Sequence, residues 1–184
     1  VRTKKTDNSF TEEKLKLRQK ALSMVNNNEA NVLDCYAGKG QMWNELKKRN
    51  KEIKLNILQI EKEEGKNKKA LKGDNIKFLR ELNLSKYDII DLDAYGIPYQ
   101  QIRTINERGY HGIVVVTAIV IGMGRIPNGL LEDYGYTKKM IDKCPTLLCG
   151  DHVRILKSYL YNIGVRKVWS IRPIDNKYYF VMEV

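Results

Sequence analysis

A chain of 184 residues, 42% of them hydrophobic, is long enough for one domain with a real core and short for two. Its longest apolar run, GIVVVTAIVIGMG, is interrupted by Thr117 and by glycines and falls short of the roughly 18 residues a membrane helix needs, so no membrane partner is expected. Lys and Arg exceed Asp and Glu by 11 charges, an excess that attracts polyanions through counterion release and favours a nucleic acid over an acidic protein, although lysine runs such as KKRNK and KNKK also suit solvated helix faces.

The opening stretch VRTKKTDNSFTEEKLKLRQKAL has no apolar core of the signal-peptide kind. Three cysteines, Cys35, Cys144 and Cys149, are an odd number, which suggests reduced thiols and a cytoplasmic setting. Cys144 and Cys149 lack the paired spacing and nearby histidines of a zinc site, and no metal is expected.

A basic arm over residues 1–10, with Arg2, Lys4 and Lys5, leads into a helix over 11–26, opened by a capping box of Ser9 and Glu12 and patterned by Leu15, Leu22 and Val25. NVLDCY then reads as a strand, AGKG as a turn and QMWNELKKRN as a helix. KLNILQI is a second strand ending at Glu61, and LKGDNIKFLREL a very short strand followed by a short helix. Tyr87 to Asp93 forms the fourth strand, PYQQIRTINERG a helix opened by Pro98, and GIVVVTAIV the most buried strand. DHVRILKSYLYNIG is a helix with Asp151 as N-cap and Gly164 as its stop, after which VRKVWSI and KYYFVMEV form an antiparallel hairpin. Apolar strands separated by helices predict a single α/β domain with a mostly parallel sheet covered on both faces.

In such a sheet, ligands bind beyond the carboxyl ends of the strands. The first strand is followed by Gly38-Lys39-Gly40, where missing side chains let backbone approach a ligand. The second ends in Glu61, 21 residues beyond Gly40, a spacing that suits a carboxylate on ribose hydroxyls. The third is followed by Asp74, and the fourth carries Asp91 and Asp93. Trp43 stands where a dinucleotide fingerprint places its third glycine, and Gly40 where a P-loop has Ser or Thr. An adenosine ligand without phosphates fits this pattern.

These features resemble the class I S-adenosylmethionine-dependent methyltransferases from about Asn31 onward. VLDCYAGKG is similar to their glycine-rich first motif, Glu61 to their ribose acid, Gly73-Asp74 to their adenine-contacting position, and the closing hairpin to their reversed last strand. The resemblance implies a Rossmann-like seven-stranded sheet of order 3-2-1-4-5-7-6. It also implies S-adenosyl-L-methionine as cofactor, with contacts from Asp34, Tyr36, Gly38, Gly40, Glu61, Asp74 and Asp91, although Asp91 also reads as a residue that orients the following loop.

The fourth strand continues as Asp91-Leu92-Asp93-Ala94-Tyr95-Gly96-Ile97-Pro98. This resembles the D-L-D-P-F-G-S-P of tRNA guanine-N2 dimethyltransferases, and VVVTAI resembles their next strand. Ala94 departs from that pattern at its first proline, and the chain is short for the additional domain those enzymes carry. An exocyclic amine delocalises its lone pair into the base; a carboxylate accepting one of its N–H groups orients it and stabilises the positive charge formed on transfer. Asp93 is the candidate for this task, Tyr95 for stacking on the base, and Gly96 and Pro98 for shaping the turn beside the substrate. The absence of a cysteine from DAYGIP and VTAIV argues against cytosine-C5 chemistry.

Residues 122–150 are longer than a minimal connection and read either as a substrate-recognition insertion or as an amphipathic helix with solvated lysines. Arg125, Tyr134, Tyr136, Lys138 and Lys139 combine charge with stacking surface there. The expected activity is methyl transfer to an exocyclic amine of a nucleic-acid base, with RNA guanine-N2 ahead of DNA adenine or cytosine. A small-molecule or protein methyltransferase and an inactive nucleic-acid-binding relative are the alternatives.

Overall fold

The computed structural model describes residues 10–119, 126–146, 149, 151–174 and 177–184. The basic arm up to Ser9, with Arg2, Lys4 and Lys5, and Arg125 in the connection after the fifth strand lie outside the described residues. The strands are β1 Glu29–Asp34, β2 Lys54–Glu61, β3 Leu71–Lys72, β4 Ile89–Asp93, β5 Ile113–Ile119, β6 Lys167–Ile174 and β7 Lys177–Glu183, most of them built on aliphatic or aromatic residues. The helices are α1 Thr11–Leu22, α2 Gln41–Arg49, α3 Asn75–Glu81, α4 Tyr99–Glu107, α5 Asn128–Asp133, α6 Lys138–Lys143 and α7 His152–Asn162. None of them is long and apolar enough to cross a membrane.

The sheet order is β3-β2-β1-β4-β5-β7-β6, the order the sequence resemblance implies. Neighbours from β3 to β5 run parallel, whereas β7 is antiparallel to both β5 and β6. Every residue of β5 is buried, as its unbroken apolar run predicts. One face packs Leu33, Ile90, Leu92, Val114 and Val116 against α3 to α7. The other packs Val32, Ile89, Val115 and Val181 against Leu15, Leu22, Trp43 and Leu46 of α1 and α2.

Three local features differ from the sequence reading. Helix α1 ends at Leu22 rather than continuing to residue 26, because Met24 and Val25 donate to Ala21 and Leu22, three residues back, instead of keeping the α-helical step. Its N-cap position is Phe10, with left-handed backbone at φ 62°, and Glu12 pairs with Arg49 of α2 at 3.1 Å instead of closing a capping box. Asp151 is the N-cap of α7, but its carboxylate accepts from Arg154 at 2.8 Å and makes no side-chain cap bond.

The nine residues 62–70 that join β2 to β3 contain no helix, unlike the usual crossover between parallel strands. This loop folds back so that the Asn67 amide donates to Gln59 of β2 at 3.0 Å.

Candidate active site

The carboxyl ends of β1, β2, β3 and β4 meet at one edge, and register fixes which side chains share a face there. Asp34 of β1 lies beside Gln59 of β2 and Asp91 of β4, and Asp93 lies beside Thr117 of β5. The β1–α2 turn is tied to both neighbouring strands: Cys35 donates to the Asp91 carbonyl at 3.0 Å and Ala37 to that of Ile60 at 3.1 Å. Gly38 and Gly40 have φ of 53° and 73°, the left-handed region that glycine occupies without a Cβ penalty. A Cβ on Gly40 would stand 2.9 Å from Asn67 and Gln59, whereas one on Gly38 would meet nothing within 4 Å. Gly40 therefore serves close packing, and Gly38 leaves open space over the turn.

Beside this turn is a cavity of about 170 Å³ lined by Cys35, Tyr36, Ile60, Glu61, Lys62, Gly73, Asp74, Asn75 and Gln101. Three of the expected cofactor residues, Tyr36, Glu61 and Asp74, thus converge. Glu61 accepts from the Glu63 backbone at 2.9 Å, and Asp74 caps α3 through the Ile76 N–H at 2.8 Å. Sequence reasoning missed Asn75 and Gln101. The Gln101 amide donates to Asn75 at 3.0 Å, and Asn75 donates to the Cys35 carbonyl at 3.0 Å, a chain of amides that ties α4 and α3 to the glycine turn. Burial raises the Tyr36 phenol to about 12, so it remains a neutral donor, and burial likewise pushes the Cys35 thiol well up and makes it a poor nucleophile.

Next to the cavity, three carboxylates are gathered under α1. Asp91 is fully buried; its oxygens accept from Arg18 at 2.6 and 3.0 Å and from the Trp43 indole at 2.7 Å. The Arg18 guanidinium, itself only 1% exposed, also reaches Asp93 at 3.2 Å and donates to the Lys14 carbonyl at 3.0 Å. Lys14, one helical turn before Arg18, places its ammonium 2.8 and 2.9 Å from the two oxygens of Asp93. Neither Lys14, Arg18 nor Trp43 was among the sequence candidates. The sequence signal of the two cations is their i, i+4 spacing on the same helix that carries the apolar stripe.

The protonation states follow from these partners. Burial would drive the Asp93 carboxyl up, but Arg18 and Lys14 outweigh it and hold Asp93 below its ordinary value. Burial and the neighbouring Asp91 raise Asp34 to about 8; its partners are the Tyr36 N–H at 3.3 Å and the Gln59 amide at 3.4 Å. Burial also pushes Asp91 up against the pull of Arg18. With three donors at short range, Asp91 is the member that carries charge near neutrality, and Asp34 the member that holds a proton. Burial discourages the Arg18 charge, and the Asp91 and Asp93 carboxylates more than restore it. Two anions thus face two cations, and the cluster closes electrically.

On the acceptor side, Tyr95 is 62% exposed two residues beyond Asp93. Gly96 has φ of 124°, its carbonyl accepts from Ile119 at 2.9 Å, and Pro98 is buried at the N-cap of α4. Ala94 is also buried. Tyr134 and Tyr136, after α5, pack against the main core, and the Tyr134 hydroxyl donates to the Ile155 carbonyl at 3.3 Å. Lys138 and Lys139 are exposed on α6.

No protein-family model matches the chain, and no curated protein does. Solved structures do. A precorrin-6y C5,15-methyltransferase from Geobacter metallireducens is 11% identical, with 100% of this chain and 93% of that one covered and a TM-score of 0.56. A candidate methylase from Haemophilus influenzae is 12% identical over 95% and 99% of the two chains, with a TM-score of 0.56. An S-adenosylmethionine-dependent methyltransferase from Archaeoglobus fulgidus is 14% identical over 94% and 93%, with a TM-score of 0.51. What this chain shares with them is the class I methyltransferase fold, with the strand order and reversed β7 described above.

Proposed function

We propose that the protein is an S-adenosylmethionine-dependent methyltransferase acting on an exocyclic amine of a nucleic-acid base, with guanine-N2 in RNA as the first candidate. The observation that carries this reading is Asp93, an anion at the end of β4 whose pairing with Arg18 and Lys14 makes it a hydrogen-bond acceptor and a weak base. An aryl amine needs such an acceptor, because its difficulty is orientation and developing positive charge.

The residues fit the cofactor. Glu61 has the position for ribose hydroxyls, Asp74 and Asn75 border the space for adenine, and the open side of Gly38 suits an amino-acid moiety laid against backbone. The bound sulfonium would supply an electrophilic methyl group. Asp93 would accept one N–H of the amine, leaving its lone pair aimed along the transfer direction, and Tyr95 would stack on the base. Because Asp93 is held low, the proton released from the amine passes to solvent rather than resting on the carboxylate. The net charge of +11 favours a polyanionic substrate.

The test is transfer of labelled methyl to total RNA, DNA and protein, with Asp93→Ala as control and calorimetry with the cofactor alongside. Label on RNA that is lost in Asp93→Ala supports the reading. Label on protein alone overturns the nucleic-acid assignment, full activity in Asp93→Ala overturns the role of Asp93, and absence of cofactor binding overturns the enzyme.

A further inference from the structure

The position that the proposed reaction requires for a substrate amine, within hydrogen-bond reach of Asp93, is held in this structure by another amine. Lys14 Nζ lies 2.8 Å from Oδ1 and 2.9 Å from Oδ2, and the two side chains are only 12% and 15% exposed. As an ammonium Lys14 has no lone pair and cannot accept a methyl group, so it is an inert occupant. A substrate amine has to replace it.

The two cations on Asp93 are unequal in how easily they leave. Arg18 is 1% exposed and is locked by a two-point contact to Asp91 and a bond to the Lys14 carbonyl. Its planar fork is fixed by three partners at once, whereas Lys14 is a point charge on a flexible four-carbon stem whose ammonium is held by the Asp93 carboxylate. Removing Lys14 from Asp93 leaves the Arg18 contact at 3.2 Å in place, so the carboxylate stays ionised and frees acceptor capacity for one N–H. The displaced ammonium then needs an anion, and a strand of nucleic acid supplies one in the phosphates flanking the target base.

Resting on the reading of Asp93 as the amine acceptor, we propose that Lys14 is an exchangeable counter-ion, paired with Asp93 in the unliganded protein and transferred to a substrate phosphate as the base amine takes its place. Lys14 thereby determines specificity: an acceptor with a phosphate beside the base compensates the ammonium it displaces, and a free base or nucleoside does not. No bond is made or broken in this exchange.

The experiment compares the full chain with Lys14→Met, which keeps the aliphatic stem, and Lys14→Arg, which keeps the charge. Binding of a short single-stranded RNA is measured across a salt series, and methyl transfer is measured on that RNA and on the free nucleoside. The proposal expects Lys14→Met to lower the magnitude of the salt slope by about 0.7, the contribution of one single-strand phosphate contact, and Lys14→Arg to restore it. Lys54→Met, at the opposite end of β2 beside Glu29, leaves the slope unchanged. Turnover of the nucleoside relative to the RNA rises several-fold in Lys14→Met. An unchanged slope in Lys14→Met, absence of RNA binding, or an equal fall in turnover on both acceptors overturns the exchange. If no acceptor is methylated by the full chain, the enzyme reading fails, while the salt slope still decides whether Lys14 meets a phosphate.

Discussion

Replacing Arg18 with Met removes the centre of the buried charge cluster while keeping much of its volume. The substitution deletes two contacts to Asp91 at 2.6 and 3.0 Å and one to Asp93 at 3.2 Å, leaving Asp91 buried with the Trp43 indole as its remaining strong donor. Breaking a buried ion pair from one side costs about 3–5 kcal/mol. At roughly 2–4 °C per kcal/mol for a chain of this size, the melting temperature at pH 7.5 falls by about 6–20 °C. The sign with pH separates charge from packing. Without Arg18, the folded-state values of Asp91 and Asp93 rise, and a carboxyl raised in the folded state gives stability that is present in acid and lost as pH climbs. In the wild type, Asp93 is depressed, so its stabilisation is present above the unfolded value and lost as pH falls. That loss lies below about pH 4, so at pH 5 the gap between the two proteins narrows because the raised carboxyls of the variant have taken up protons there. Urea unfolding at pH 5 and 7.5 measures it; a loss below about 1 kcal/mol at pH 7.5, or an equal loss at both pH values, would refute the argument.

Asp34, raised to about 8 in the folded state, stabilises most in acid and loses that contribution as pH rises towards 8, so wild type should lose about 1.4 kcal/mol more per pH unit than Asp34→Asn between pH 5 and 8 in urea unfolding. Gly40→Ala places a Cβ 2.9 Å from Asn67 and Gln59 at φ of 73° and costs more stability than Gly38→Ala, which carries only the left-handed penalty of about 1–2 kcal/mol; thermal melts rank the two. Tyr95→Ala, at a 62% exposed position, weakens acceptor affinity by the 1–3 kcal/mol of one base–aromatic stack, roughly 5- to 150-fold by titration with the methyl acceptor.

What was legible in the sequence is what local pattern encodes. The apolar run 113–119 reads as a buried strand, and Gly38, Gly40, Glu61 and Asp74 announce a ligand edge because each stands at or shortly beyond the carboxyl end of a strand. The order of the strands came from resemblance, since register such as Asp34 beside Asp91 is set by partners 57 residues apart. The counter-ions were illegible for the same reason. In KLKLRQK, Lys14 and Arg18 look like any basic helix face, and only the docking of α1 over β4 turns them into partners of residues 79 and 73 positions away. Trp43 entered the sequence reading as a missing glycine; in the fold it is a fully buried donor to Asp91. Asn75 and Gln101 carry no motif, because amides recruited for bonding across elements have no preferred spacing.

The helix-free β2–β3 connection also bears on how the protein behaves in a crowded solution. It leaves β3 as an edge strand of two exposed residues, with Lys72 in it and Lys68 and Lys69 just before it. At the far edge, β6 is irregular between Trp169 and Arg172, and Pro173 contributes no N–H to an incoming strand. Short length and charge at one rim, and a bulge with proline at the other, deny a second sheet the straight row of donors and acceptors it would need to add on. A fold with two open rims thereby keeps its strands from templating aggregation.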